Sequence, residues 1–190
     1  RDRVVEKAKL GISGPLILSV GALIPRKGQD LLIAALPALP DAMLMLAGKG
    51  ESESVFRALA TELGVADRVA FLGSVPHDDL PALFAAADVM ALVSASEGLA
   101  NAWVEALACG TPIIASDVGG IRELVKTPAA GRIVARTPEA VTAAVRDILT
   151  NPPTRDAVAA NVSAFSWDEN ARQLAAFFRD VVRKGVGDSP

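Results

Sequence analysis

The chain has 190 residues, a formal net charge of −3 and a single cysteine. Its length suits one domain, which would bury about 70% of the surface that the unfolded chain exposes. The weakly acidic charge and the lack of a basic run argue against a nucleic-acid-binding protein. One cysteine excludes an internal disulfide and a multi-cysteine metal site. No apolar run approaches the roughly 20 residues of a transmembrane helix.

Hydrophobic residues make up 51% of the chain but aromatic residues only 4%. The core must therefore consist of Leu, Ile, Val and Ala, as in a parallel sheet enclosed by helices. Residues 1–14 read as a solvated lead-in, with a helical turn followed by a loop. Apolar runs bounded by Gly and Pro then predict strands at 15–21, 42–47, 68–72, 89–94, 112–116 and 131–135.

Helical patterns alternate with these strands. They predict helices at 29–36, 52–63, 101–109 and 138–149, two more that begin near 78 and end near 125, and a helical region up to about 184. In the last helix, Trp167, Phe177 and Phe178 form an apolar stripe that we interpret as ordinary packing. The alternation predicts an α/β fold with a doubly wound, parallel six-stranded sheet and extra C-terminal helices.

In such a sheet every strand-to-helix turn lies at the carboxyl edge of the strands, where ligands bind. The loops at Gly21, Gly48, Gly73, Glu97 and Gly119 are therefore expected to line one crevice. Glycines at these turns allow the backbone to approach a ligand closely.

The most informative segment is residues 94–112, SASEGLANAWVEALACGTP. It has two carboxylates, Glu97 and Glu105, eight residues apart in an apolar setting. Glu97 would lie on the turn after the fourth strand, and Glu105 in a short helix with Asn101 as its N-cap. Taken singly, Glu97 has the simpler interpretation of a solvated loop residue and Glu105 that of a partner for the helix dipole.

Together, the Glu-x7-Glu spacing and the following ALACGTPIIAS resemble the signature of retaining group 1 glycosyltransferases, the glycogen-synthase-like superfamily. The resemblance extends from Pro15 to about Arg183. It implies the C-terminal, Rossmann-like half of a two-domain GT-B enzyme, which binds the nucleotide-sugar donor. Residues 1–14 would then be a linker remnant from a missing N-terminal acceptor domain, and residues 15–190 the donor-binding domain. The start at Arg1 rather than Met fits such a division.

Arg26 and Lys27 lie at the mouth of the first strand-to-helix turn, where two cations and helix N–H groups could hold a diphosphate. The resemblance implies a phosphate-binding role for Lys27, contacts of Glu97 with the donor sugar hydroxyls, and contacts of Glu105 with the ribose. We therefore take Glu97, Lys27 and Arg26 as candidate catalytic residues. The candidate donor-binding residues are Gly21, Gly48, Val75, Gly98, Leu99, Ala100, Asn101 and Glu105.

One position departs from the family pattern. Many members carry Arg directly after the first glycine, where this chain has Ala22. Either Arg26 supplies that charge or the contacts with the diphosphate are weaker.

Other sites are poorly supported. Gly48-Lys49-Gly50 begins a dinucleotide fingerprint, but Glu53 replaces its third glycine, which argues against a nicotinamide site. His77 is interpreted as a solvated residue before a helix. No Asp-x-Asp or His cluster is present, so we expect neither a metal nor a cofactor beyond the nucleotide sugar.

The sequence thus predicts a fragment of a retaining glycosyltransferase that uses a nucleotide-diphosphate sugar and, without the acceptor domain, turns over little. A non-catalytic nucleotide-binding or scaffold domain is the alternative that Ala22 favours. Half of a sugar-nucleotide epimerase is a third, against which the Glu-x7-Glu pattern counts. We expect a cytoplasmic protein, with peripheral association at the inner face of the membrane open to the full-length form. The base, sugar, acceptor and oligomeric state stay open.

Overall fold

A computed structural model describes residues 1–165 and 167–185, and over these residues the chain forms six strands and nine α-helices. The strands are β1 (Leu16–Val20), β2 (Met43–Ala47), β3 (Val69–Gly73), β4 (Val89–Leu92), β5 (Ile113–Ser116) and β6 (Gly131–Val134). The helices are α1 (Arg3–Lys9), α2 (Gln29–Ala35), α3 (Glu53–Glu62), α4 (Leu80–Ala86), α5 (Asn101–Ala108), α6 (Ile121–Leu124), α7 (Pro138–Thr150), α8 (Arg155–Ala159) and α9 (Trp167–Gly185).

The strands form a sheet in the order β3-β2-β1-β4-β5-β6, and all neighbouring strands are parallel. This arrangement confirms the predicted doubly wound α/β fold. The chain leaves β1 in one direction to build β2 and β3, and returns to the other side of β1 to build β4, β5 and β6. The strand order therefore reverses between β1 and β4, and this switch point is where doubly wound sheets open a crevice.

Side chains that alternate along each strand pack into two cores, one on each face of the sheet. Ile17 of β1 packs with Leu32 and Ile33 of α2 in one core. Leu16 and Leu18 pack in the other, which contains Trp103 of α5. Trp103 is fully buried. The strands in the middle are buried on both faces, which explains why their sequences are continuous apolar runs.

The N-terminal segment has the predicted helical turn and loop, and most of its residues are exposed, but it also contacts the rest of the domain. Residues 3–9 form a regular helix, α1, with Asp2 as N-cap. Glu6 of this helix is buried, and the Lys7 ammonium pairs with Asp88, whose carboxylate also accepts from the Leu16 N–H. The sequence pattern did not predict this contact, because Asp88 lies 81 residues after Lys7. The Lys7–Asp88 pair therefore anchors this segment at the start of β4.

Two boundaries also differ from the prediction. The N-cap of α5 is Ala100, in an extended conformation, and Asn101 is the first residue of the helix. β4 ends at Leu92, before Ser94, because the chain turns there into the loop that carries Glu97. Asn is a favoured N-cap, but tertiary contacts of the preceding loop decide where the helix begins.

The part of the α9 stripe that the structure describes is exposed rather than packed, contrary to the interpretation from sequence. Phe177 and Phe178 are 61% and 57% exposed, and Leu174 is 51% exposed. The Trp167 side chain, Ser166 and residues 186–190 of the predicted domain lie outside the described residues. The stripe is therefore an apolar surface in this chain.

Candidate donor site

Two loops meet at the switch point of the sheet. The loop after β1 carries Arg26 and Lys27 in a 3₁₀ turn, Pro25–Lys27, and the loop after β4 carries Glu97. The Ala95 N–H donates to the Arg26 carbonyl over 2.7 Å and ties the loops together. The predicted catalytic candidates are thus brought to one place, although 70 residues separate Lys27 from Glu97.

The Glu97 carboxylate is the centre of a polar cluster. Its Oε1 accepts from Lys27 Nζ over 2.5 Å and from Ser94 Oγ over 2.7 Å. The Lys27 and Glu97 side chains are only 15% and 10% exposed. Ser116, at the end of β5, donates its hydroxyl to the Ser94 carbonyl. The carboxylate is therefore held by two hydrogen bonds at the switch point of the sheet.

Arg26 reaches toward the same cluster from the solvent side. Its guanidinium donates to the Ser96 carbonyl, and Nη1 lies 3.9 Å from Glu97 Oε2. The Arg26 side chain is 47% exposed, so part of its guanidinium is free to meet a ligand. Two cations and one carboxylate leave a local charge of +1, which suits an anion.

Glu97 is ionised in this setting. Burial raises the pKa of a carboxyl, but the hydrogen bonds from Lys27 and Ser94, together with the charges of Lys27 and Arg26, outweigh it and hold the Glu97 pKa below its ordinary value. An ionised carboxylate accepts hydrogen bonds only, so it can bind hydroxyl groups of a ligand as an acceptor.

Gly28 allows the Arg26-Lys27 turn to pack closely against Val93. Its φ is +75°, and a Cβ at this position would lie 2.5 Å from the Val93 carbonyl oxygen. The same carbonyl accepts from Arg136 Nε over 2.8 Å. Arg136 follows β6, so this hydrogen bond joins the segment after β6 to the start of the loop after β4.

The glycine loops at the two predicted positions touch each other directly. A Cβ on Gly48 would collide with the Gly21 carbonyl, and both backbones adopt a positive φ. The Leu23 N–H donates to the Lys49 carbonyl, and the Ser52 N–H to the Leu23 carbonyl, each over 3.0 Å. Close contact between the two loops therefore accounts for Gly48, whereas a ligand contact of Gly21 or Gly48 stays a prediction.

The segment from Gly98 to Asn101 lies at the start of α5. The Gly120 N–H donates to the Gly98 carbonyl over 2.8 Å, which joins this loop to the one after β5. Leu99 is 41% exposed, while Ala100 is half-buried. The amides at the N-terminal end of α5 are positioned next to the Glu97 cluster by chain connectivity.

Two predicted residues are not joined to this cluster. Glu105, half-buried on α5, forms no ion pair or side-chain hydrogen bond among the described residues. Val75 follows β3, two strands away from β1, and packs against the core that contains Trp103. A contact of either residue with a donor stays a prediction.

Sequence reasoning missed several supporting residues. Ser94 lies three residues before Glu97, a spacing that suits a turn in which a hydroxyl reaches a carboxylate. Ser116 and Arg136 carry no such signal, since their contacts depend on strand order. Gln29 is fully buried at the start of α2, where its Nε2 donates to the Ala22 carbonyl over 3.0 Å and closes the β1 loop.

Within residues 1–165 and 167–185, no group of three or more His, Cys, Asp or Glu side chains could hold a metal ion. Among the helices of that part of the chain, none is long and apolar enough to cross a bilayer.

Comparison with known proteins defines the class. The profile of the family described as "Glycosyl transferases group 1" matches residues 2–165. This chain therefore belongs to the group 1 glycosyltransferase family, and its sheet is the Rossmann-like domain of the GT-B fold.

Particular relatives agree with this assignment. A GDP-mannose-dependent alpha-(1-6)-phosphatidylinositol monomannoside mannosyltransferase of Mycolicibacterium smegmatis is 38% identical over 179 residues, which cover 88% of this chain and 46% of that protein. Sucrose-phosphate synthase from Thermosynechococcus elongatus superposes with a TM-score of 0.84 at 30% identity, over 96% of this chain and 50% of that one. HepE of Anabaena in complex with UDP and glucose superposes with a TM-score of 0.83 at 26% identity, over 92% of this chain and 51% of that one. The chain spans about half the length of these proteins.

Proposed function

We propose that this chain is the donor-binding half of a retaining glycosyltransferase that takes a sugar from a nucleotide-diphosphate donor. The observation that carries the proposal is the cluster of Lys27, Glu97 and Arg26 at the switch point between β1 and β4. The relatives support a nucleotide-sugar donor, since the mycobacterial protein is named as GDP-mannose-dependent and HepE was solved with UDP and glucose.

The cluster offers one group for each part of such a donor. The ammonium of Lys27 and the exposed part of the Arg26 guanidinium bind the diphosphate, on which negative charge develops as the glycosidic bond breaks. The Glu97 carboxylate accepts from sugar hydroxyls and so fixes the sugar relative to the diphosphate. Backbone N–H groups of residues 98–101 meet phosphate or sugar oxygens at the N-terminus of α5. Glu105 and Val75 bind the ribose and the base.

Retention without a covalent glycosyl-enzyme intermediate requires the acceptor to attack from the side on which the diphosphate leaves. In this hypothesis the bond between the anomeric carbon and the diphosphate oxygen breaks, and the bond to the acceptor oxygen forms on the same face. The acceptor proton passes to the leaving diphosphate. No protein nucleophile is needed, and neither a metal nor a further cofactor is proposed.

The acceptor domain is the part of the relatives that this chain does not span. The exposed apolar face of α9, with Leu174, Phe177 and Phe178, provides a surface on which that domain can pack. The acceptor site would lie across the crevice from Glu97. Residues 1–14 and α9 then connect the two domains.

A scaffold role is the second candidate, because Ala22 is exposed at the position where the resemblance implies Arg in many family members. Against it, the Arg26 guanidinium reaches the Glu97 loop and can supply the missing cation. An assay of the full-length protein with GDP-mannose or UDP-glucose separates an enzyme from a scaffold by the release of free nucleoside diphosphate.

If the protein is an enzyme, it releases nucleoside diphosphate, and Lys27→Ala abolishes this activity. NMR then shows the α-anomer of the sugar as the first product. A scaffold releases none.

A further inference from the structure

We propose that Lys49 selects the donor base and favours one with a carbonyl oxygen at its edge, guanine or uracil, over adenine. The inference rests on the proposed function and concerns the base end of the same crevice. It starts from an exposed lysine that the Glu97 cluster does not use.

The backbone around Lys49 is anchored on both sides. Its carbonyl accepts from the Leu23 N–H over 3.0 Å, and the Gly48 N–H donates to the Gly73 carbonyl over 2.8 Å. The first bond joins the loop after β2 to the loop after β1, and the second joins it to the end of β3. Lys49 is therefore attached to a rigid crevice edge.

The side chain of Lys49 runs over the end of β3. Its Cε lies 3.5 Å from the position that a Cβ on Gly73 would occupy. Because Gly73 has no side chain, the aliphatic stem of Lys49 can pass above it. The Lys49 side chain therefore lies beside Gly73, two residues before Val75 and three before Pro76.

The ammonium is also chemically free. Among the described residues, Lys49 forms no ion pair and no side-chain hydrogen bond, whereas Lys27 is paired with Glu97 and Arg26 donates to Ser96. An ammonium has three donors and no acceptor. It can donate to O6 of guanine or to O4 of uracil. Adenine shares the N7 acceptor with guanine but has an amino donor in place of O6, so it offers the ammonium one acceptor fewer.

Calorimetric titration of the full-length protein with GDP, UDP and ADP tests this assignment. We expect GDP or UDP to bind more tightly than ADP. Lys49→Met should weaken binding of the preferred nucleotide by about tenfold or more, as for one charged hydrogen bond, and change the affinity for ADP by less than about twofold. Lys49→Arg, which keeps the cation, should preserve most of the preference.

Lys126→Met serves as the matched control, because Lys126 is exposed and precedes β6 at the opposite edge of the sheet. It should leave all three affinities unchanged. If Lys49→Met weakened all three nucleotides equally, the lysine would contact the diphosphate and the inference would be wrong; no change would refute it as well. If the unsubstituted protein bound no nucleotide, the proposed function itself would fail.

Discussion

At the scale of single residues, the Lys27–Glu97 pair dominates the site. Each member can be predicted from the sequence by itself. Lys27 is a cation at the first strand-to-helix turn, next to Gly28, and Glu97 belongs to the Glu-x7-Glu motif. Their pairing cannot be predicted in this way, because it requires β1 and β4 to be neighbours, and a sequence pattern does not give strand order. The hydrogen bond from Ser94 to Glu97 differs, because its spacing of three residues is visible in the sequence, although we did not predict the contact.

Glu97→Gln should separate sugar recognition from nucleotide binding. The amide keeps the shape but weakens acceptance from hydroxyls, and the donor sugar is then poorly oriented. We expect turnover of the nucleotide sugar to fall by about 100-fold or more, while the affinity for free nucleoside diphosphate stays within about threefold. Steady-state kinetics and calorimetry measure the two effects. Equal losses in both would assign Glu97 to the diphosphate or to folding.

The lowered pKa of Glu97 predicts a dependence of stability on pH. Because the folded pKa lies below the ordinary value of 4.5, ionised Glu97 stabilises the fold above that pH, and the contribution is lost as pH falls through the folded pKa. The difference in unfolding free energy between the unsubstituted chain and Glu97→Gln should therefore be largest near pH 6 and shrink below pH 4.5. Urea denaturation over this range measures it. A constant difference would contradict the assigned shift.

At the scale of elements, backbone hydrogen bonds join the loops after β1, β2 and β4 at the carboxyl edge of the sheet. The β1 loop contacts the β2 loop through Leu23 and Lys49, and the β4 loop through Arg26 and Ala95. The positions of strands and helices were predictable because apolar runs and glycine or proline boundaries define them. The start of α5 at Asn101 was not, since contacts of the preceding turn outweigh the preference of Asn for the N-cap.

Gly28→Ala tests the contact between the β1 turn and Val93. The added Cβ would lie 2.5 Å from the Val93 carbonyl oxygen at a φ of +75°. We expect a loss of about 2–4 kcal/mol in unfolding free energy and weaker nucleotide binding. Gly64→Ala is the control, because its φ is +66° with no atom within 4 Å, so it carries only the backbone strain. Equal losses for the two variants would show that the turn has room to shift.

At the scale of the whole molecule, the chain resembles one half of a larger enzyme. Its sheet, two cores and crevice are complete within residues 1–165, yet the apolar face of α9 is exposed. The sequence did not distinguish a packed stripe from an exposed one, because both have the same spacing of apolar residues.

Phe178→Asp separates the two roles of α9. Phe178 is 57% exposed, so the substitution should change the unfolding free energy of this chain by no more than about 0.5 kcal/mol. In the full-length protein it should lower the melting temperature or the activity, because a charge would be buried against the acceptor domain. Calorimetric scans of both forms measure this. Destabilisation of the isolated chain would mean that α9 packs on the domain described here.

The central claim is that a nucleotide-diphosphate sugar binds between the β1 and β4 loops. An NMR titration of the isotope-labelled chain with GDP, UDP and ADP tests it most directly. We predict that one nucleotide shifts the amide signals of Lys27 and of residues 98–101, and that Lys27→Ala weakens this binding by at least about tenfold. Two results would contradict the account. One is a set of shifts confined to residues 125–133, at the β6 edge of the sheet. The other is binding that Lys27→Ala leaves unchanged.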